Sequence, residues 1–521
     1  MTRLLLLAIV IAIAMSFFRL GSVTLFDVDE AVFAEATKEM IQSGDYITPT
    51  YNGENRYDKP ILFYWLMAVS YKVFGINEIG ARFPSAASGF ILCLAIFFFL
   101  RQFNSEKMAF YGVISLAISI YFFAYSHAAV TDMTLTLFIT LSPFFYLSLK
   151  KDRRYIYGLY IFSALAFLTK GLIGIVFPFS IAIIYLLITE GLAGIKKIFS
   201  VKGIVLFLVT SMPWYIAQLA INGQEFIQQF FIKHHFMRYT GVISGHRGPI
   251  FYYIPVLIAG LFPWIAFLPA GIRGLFRDSN ELRVTNNNST SRLSLSLLAF
   301  IWFAFIFIFF SFSTTKLPNY ILPAIPATSI LIASGMSQQG ERWRIYSHVF
   351  IAVLSLFAGI AFIVLKGYLL KFGIHDTYWT IIIAALFLMM VIVSLYGILT
   401  RKTTYGFLSV LMIVFLSVLS IKALPIANNY LQGTLYRYSL YARERLRGDE
   451  RIIAYGINNP SIVFYSSHRV INTRNKDELL SIVSNSSKSI AITKIRDIEV
   501  LKGLGFKILQ RDKDYAILEK E

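Results

Sequence analysis

One cysteine, Cys93, stands in the 521-residue chain. It lies inside an apolar run without a partner, so no intramolecular disulfide framework can form. Charge is scarce as well: Asp, Glu, Lys and Arg make up 15% of residues, against roughly a quarter in soluble globular proteins. Acids are the rarer sign, 29 against 48 Lys and Arg, for a formal charge of +19. Low-complexity sequence is limited to a short run at 286–291, and no internal repeat is evident.

What fills the chain is apolar surface, 57% of residues, more than any aqueous core of this size could hide. The composition therefore predicts a polytopic α-helical membrane protein. A helical span needs about 20 mostly apolar residues. Thirteen such stretches can be drawn: 4–20, 80–100, 108–125, 130–149, 155–169, 171–189, 203–221, 250–270, 293–311, 319–336, 346–366, 377–399 and 405–425. Arg3 precedes the first, as in a signal peptide. No small-x-small cleavage site follows its apolar core, so it is expected to remain as an uncleaved span.

Charge placement predicts orientation. With the N-terminus in the cytoplasm, the loops on that side hold 18 Lys and Arg against 6 acids. The excess charge thus records topology, and no nucleic-acid partner is expected. Residues 1–425 are then a transmembrane domain with external loops 21–79 and 222–249. Residues 426–521, with ordinary charge density, form a small external α/β domain. Strands are expected at 451–456, 461–466, 489–494 and 507–519, with helical stretches near 433–447, 475–484 and 495–503.

The loop at 21–79 reverses the sign of the protein, with nine acids against four bases. Its segment 29–40 reads as an amphipathic helix at the membrane interface, acids outward. Residues 59–75, rich in aromatics, read as a second one. Asp27, Asp29 and Glu30 suit a helix N-terminus, where first-turn amides and the dipole stabilise an acid. Asp58-Lys59-Pro60 fits a surface ion pair at a helix start. Other polar residues fall at outer span ends: His127 and Asp132, Lys170, Lys316, and the bases and histidines of the second loop, including His246 and Arg247. Each has an ordinary explanation, such as snorkelling to headgroups. Charges gathered against one face of a bilayer nevertheless mark a candidate site.

Several motifs carry a resemblance. DVDEAVFAEATKEMIQSGDYITP, YDKPILFYW and GARFPSA, then TDMTLTLF, FLTKG, HRGPIFYYIPVLIAGLFPW and TTKLPNYILPAIPA, span nearly the whole chain. Together they resemble the GT-C glycosyltransferases that use lipid-linked sugars, in particular the bacterial lipid A aminoarabinose transferases, relatives of the protein O-mannosyltransferases. The resemblance implies a polyprenyl phosphate-linked sugar donor, an acceptor glycolipid or protein at the membrane surface, and location in the bacterial inner membrane with the site facing the periplasm. It carries Asp29 and Asp132 over as the two catalytic acids, and Lys59 and Arg247 as bases on the lipid phosphate. Glu30, Arg82, Lys170, Lys316 and Tyr320 are expected to support them. Asp58 stands where relatives usually have Glu, at a position linked with a divalent metal, with His246 as a co-ligand; the shorter acid weakens that metal expectation.

The chemistry suits these residue types. Displacing a lipid phosphate from an anomeric carbon builds negative charge on the leaving oxygen, which Lys59 and Arg247 would stabilise. For a hydroxyl acceptor, Asp29 serves as general base. For a lipid A phosphate, already ionised, Asp29 and Asp132 instead hold the sugar's amine or hydroxyls. The expected activity is an inverting transfer of 4-amino-4-deoxy-L-arabinose or another hexose or aminosugar to an envelope glycolipid such as lipid A, with a protein acceptor as the alternative. A transporter or lipid flippase is disfavoured, because such proteins place ionisable groups near the midplane.

Overall fold

The computed structural model describes residues 2–150, 152–230, 248–281, 287–338, 340–446, 450–484 and 489–520. The chain folds as two compact units. One comprises 1–19, 57–63 and 85–422; the other comprises 20–56, 64–84 and 423–521.

In the first unit each of the thirteen apolar stretches carries helix. Eight helices among the described residues are long and apolar enough to cross a membrane, ten if each bent pair counts as one span. The lower number has local causes. The stretch at 108–125 is two helices, Glu106–Ala117 and Ile120–Ser126, bent by 65°. Ser119 starts the second afresh, its hydroxyl accepting from the Phe122 amide at 3.1 Å. The stretch at 250–270 turns through 108° between Tyr253–Leu261 and Trp264–Leu275, where Pro263 supplies no amide hydrogen. Arg3–Phe17, Asp132–Leu147 and Ile156–Lys170, at 15, 16 and 15 residues, fall short of a full span.

The second unit contains a short hairpin, β1 (Thr50–Tyr51) with β2 (Glu54–Asn55), and a five-stranded mixed sheet. The sheet strands are β3 (Arg451–Tyr455), β4 (Val470–Thr473), β5 (Ser489–Lys494), β6 (Lys507–Arg511) and β7 (Tyr515–Lys520), in the order β4-β3-β5-β7-β6. β3 runs parallel to β4 and β5, while β7 is antiparallel to β5 and β6. Both faces of β3, β5 and β7 are covered, which explains strands without strong polar alternation. Ile452, Ile490 and Ile517 pack with Tyr438, Ala442 and Ile462 on one face. Ile453, Ala491 and Leu518 pack with Leu479, Val483 and Leu501 on the other.

Three expectations change here. Residues 461–466 are not a strand but part of the helix Pro460–Ser466. All seven of its residues are buried, so no exposed face reveals a helical period. Pro460 takes a first-turn position, and Asp27 caps the helix from afar: its Oδ1 accepts from the Ser461 amide at 2.7 Å, and its Oδ2 from the Ser461 hydroxyl at 2.7 Å. The strand expected over 507–519 is a hairpin, β6 and β7, turning at 512–514. The helix Asp29–Ser43 is not an interfacial helix with its acids outward; ten of its 15 residues are buried, Glu30 and Glu35 among them.

Glu35 reveals the cost of that burial. Its carboxylate pairs with Lys38 at 2.9 Å, and the same ammonium donates to the Phe464 carbonyl and the Ser467 hydroxyl, each at 3.3 Å. Burial pushes the carboxyl up to about 7, against the opposing pull of Lys38. The folded state therefore holds this proton more tightly than the unfolded chain. The resulting stabilisation is present at low pH and is lost as pH rises from about 4.5 through about 7. Thermal unfolding of the wild type should show this decline, and Glu35→Gln should flatten it; parallel pH profiles for the two proteins would contradict the assignment.

Candidate active site

In the first unit the polar cluster is built on three helix ends. Asp132 opens the helix Asp132–Leu147, whose start is fixed by Ser85, donating to the Val130 carbonyl at 3.1 Å, and by the Ser88–Thr134 hydroxyl pair at 2.9 Å. Lys170 is the last residue of Ile156–Lys170, and Gly171 stops that helix with φ +73°, a conformation that favours glycine. Asn319 and Tyr320 lie in the short 3₁₀ segment Pro318–Ala324. The Tyr121 hydroxyl donates to the Pro318 carbonyl at 2.8 Å, and that of Tyr253 to the Leu317 carbonyl at 3.3 Å, anchoring the backbone that presents them.

These ends converge on one carboxylate. Asp132 Oδ1 accepts from Lys170 Nζ at 2.6 Å and from Asn319 Nδ2 at 3.2 Å, with the carboxylate buried. Lys170 Nζ also stands 5.8 Å from the centre of the Tyr320 ring. Oδ2 accepts no hydrogen bond among the described residues, so it can take a hydroxyl or amine from a ligand. Asn319 was absent from the sequence-based candidates, although it lies inside the TTKLPNYILPAIPA motif; nothing in its own residue type marked it out. Lys170→Met would strand the buried carboxylate, and should lower stability by about 1.5–3 kcal/mol. Adding Asp132→Asn should recover part of that loss in thermal unfolding; a double variant less stable than the single one would refute the coupling.

Lys316 is committed elsewhere. Its ammonium is buried and donates to the carbonyls of Ser311, Ser313 and Phe310, at 2.7, 2.8 and 3.3 Å, closing the C-terminal end of the helix Asn287–Phe312. Asp58 and Lys59 are half-buried, with Lys59 Nζ donating to the Asp58 carbonyl at 3.2 Å. Their neighbour Tyr57 donates to Glu225 at 3.3 Å and lies edge-on to Phe226. Ring contacts continue from Phe226 to Tyr215 and from Tyr215 to Phe167, three residues before Lys170. No group of three His, Cys, Asp or Glu able to hold a metal occurs among the described residues. His246 and Arg247 lie outside the described residues.

In the second unit Asp29 is the first residue of its helix. Its side chain is exposed and makes no hydrogen bond among the described residues. The helix has no side-chain N-cap; Val28 occupies that position. Glu30, next to it, is buried in a bidentate pair with Arg82, Nε to Oε1 at 2.9 Å and Nη2 to Oε2 at 2.8 Å. Arg82 also donates to the carbonyls of Leu20, Val23 and Thr24 at 2.9–3.0 Å, and Glu30 accepts from the Phe26 amide at 2.8 Å. Glu30 and Arg82 thus fix the backbone leading into Asp29. One anchored acid beside one exposed acid is an arrangement that holds a free carboxylate in place.

A family model described as dolichyl-phosphate-mannose-protein mannosyltransferase matches residues 58–216, the segment that holds Asp58, Lys59, Asp132 and Lys170. An uncharacterized protein of Aquifex aeolicus is 30% identical over 366 residues, covering 69% of this chain and 70% of the relative. The undecaprenyl phosphate-alpha-4-amino-4-deoxy-L-arabinose arabinosyl transferase of Yersinia enterocolitica is 28% identical over 322 residues; the match takes in 60% of this chain and only 56% of that enzyme. The fold is that of ArnT from Cupriavidus metallidurans, solved bound to undecaprenyl phosphate, with a TM-score of 0.82, 23% identity, and coverage of 99% of this chain and 97% of that one. The chain belongs to the GT-C superfamily of glycosyltransferases that contains the aminoarabinose transferases and the protein mannosyltransferases.

Proposed function

We propose that the protein transfers a sugar from a polyprenyl phosphate to an envelope glycolipid such as lipid A, at the periplasmic face of the bacterial inner membrane. The observation that carries this reading is the buried Asp132 carboxylate, held through one oxygen by Lys170 and Asn319 and left with the other for a ligand. Two of these three residues fall in the segment matched by the family model. The names of the arabinosyl transferases support undecaprenyl phosphate as the carrier and an amino-pentose as the sugar.

In the proposed reaction an acceptor oxygen attacks the anomeric carbon, and the bond to the phosphate oxygen breaks with its electron pair. Asp132 orients the sugar through Oδ2. Lys59 neutralises the departing phosphate, together with Arg247. Asp29 takes the proton when the acceptor is a hydroxyl. Lys59→Ala should raise the KM for the lipid donor by about 10–100-fold, as expected for the loss of a charge-assisted contact worth about 1.5–3 kcal/mol. An unchanged KM would remove Lys59 from the donor site.

A protein acceptor is the second reading, favoured by the description of the matching family model as a protein mannosyltransferase. Mass spectrometry of lipid A and of envelope glycoproteins, with and without the gene, separates the two. Loss of a sugar from lipid A supports the glycolipid reading. Loss confined to glycoproteins replaces it with the protein reading, and no change in either counts against both.

A further inference from the structure

A groove of about 380 Å³ opens in the first unit, and no residue of the proposed site lines it. Its walls come from four elements: Tyr160 of Ile156–Lys170, Phe179 of Ile173–Glu190, Ile195 and Ile198 of the linker at 191–200, and Ile204 and Phe207 of Val201–Phe226. Its volume lies in the range of ligand sites, roughly 300–1,000 Å³. The lining is apolar and aromatic, and the one hydroxyl in it, that of Tyr160, donates to the Ile198 carbonyl at 2.8 Å. That bond ties the linker to the wall. Gly203 packs so closely on the Tyr160 ring that an added Cβ would overlap it. The groove is therefore set by fixed backbone and not by loosely packed side chains.

Basic residues alternate with the lining residues along the linker. Lys196 and Lys197 sit between Ile195 and Ile198, and Lys202 comes two residues before Ile204. Lys197 pairs with Glu190 at 2.7 Å. Lys196 and Lys202 are exposed and make no ion pair among the described residues. Exposed apolar side chains stand beside them: Leu192 at 79%, Val201 at 66% and Phe199 at 64%. An apolar groove, whose lining residues neighbour in sequence ammonium groups without ion pairs among the described residues and exposed apolar side chains, matches one ligand chemistry: a hydrocarbon chain joined to an anionic headgroup.

We propose that this groove binds an anionic glycerophospholipid, with an acyl chain along Tyr160, Phe179 and Phe207 and the phosphate at Lys196 and Lys202. Ordinary annular lipid would use the same apolar walls but would not discriminate by headgroup charge. The two lysines supply that discrimination, each worth about 1 kcal/mol toward an anionic surface, or roughly fivefold in occupancy.

The test uses the purified full-length protein in lipid nanodiscs and two probes with the same diazirine-bearing acyl chain, one phosphatidylglycerol and one phosphatidylcholine. Cross-links are mapped by mass spectrometry. The phosphatidylglycerol probe should label the segment 195–207 preferentially. Lys196→Gln and Lys202→Gln should each lower that labelling about fivefold without affecting the phosphatidylcholine probe. Ile204→Trp, which fills the groove with both lysines kept, should lower labelling as well. Equal labelling by the two probes, labelling spread evenly onto lipid-exposed helices such as Glu341–Lys371, or lysine variants without effect would each overturn the proposal. The lysine changes lie on exposed positions, so the test stands even if Ile204→Trp fails to fold.

Discussion

Asp29→Asn should lower sugar transfer to a hydroxyl acceptor by roughly 10²–10⁴-fold, the usual worth of a positioned general base, while leaving the chain folded. The structure separates these two outcomes unusually well. Asp29 is exposed and makes no hydrogen bond among the described residues, so the isosteric amide removes no contact of the fold. The neighbouring Glu30–Arg82 pair remains to hold the backbone, and the helix Asp29–Ser43 keeps its buried face. The thermal midpoint should therefore stay near the wild-type value while turnover collapses. The pattern of the loss also distinguishes acceptors. With a hydroxyl acceptor the fall should be in kcat. With an ionised phosphate acceptor no base is needed, and the loss should be smaller and appear as weaker sugar binding. Wild-type turnover in both assays would remove Asp29 from the chemistry.

Arg82→Met should produce the opposite pattern, a large loss of stability that precedes any effect on chemistry. Arg82 is almost completely buried, and its guanidinium serves Glu30 and three backbone carbonyls. Removing it leaves a buried carboxylate without its cation, a change that costs about 3–5 kcal/mol. A second substitution, Glu30→Gln, should recover only part of this. The carbonyls of Leu20, Val23 and Thr24 would still have lost their donor. Thermal unfolding of the two variants measures both steps. Full recovery in the double variant would mean that the ion pair alone matters, and that the anchored backbone ahead of Asp29 does not depend on Arg82.

The two cases show where the sequence is readable and where it is not. Runs of about 20 apolar residues have few alternatives to helix in lipid, which is why every predicted stretch carries helix. Length along the chain does not reveal a bend, so 108–125 and 250–270 look continuous in sequence and are broken in the structure. Pro460–Ser466 is misleading for a related reason: a short, wholly buried segment has no polar face to display its period, and its cap, Asp27, lies more than 400 residues away. Asp27 and Glu30 could both be read as local helix-start acids. The structure instead gives one to a remote helix and the other to a buried arginine. Asp132 and Lys170 were recognisable as charges in apolar sequence, whereas their direct contact, and the share taken by Asn319, depend on three helix ends meeting. Lys316 satisfied the same sequence criterion, yet its three donors are taken by the end of a helix.

Transfer of a sugar from a polyprenyl phosphate is tested most directly with the purified full-length protein. The protein should be incubated with a panel of radiolabelled undecaprenyl phosphate sugars, the 4-amino-4-deoxy-L-arabinose donor among them, and with extracted lipid A and envelope protein, with Asp29→Asn run in parallel. Label from at least one donor should move into the lipid A fraction, and more slowly with the variant. Folded protein that moves label from no donor to lipid A or to envelope protein would contradict it.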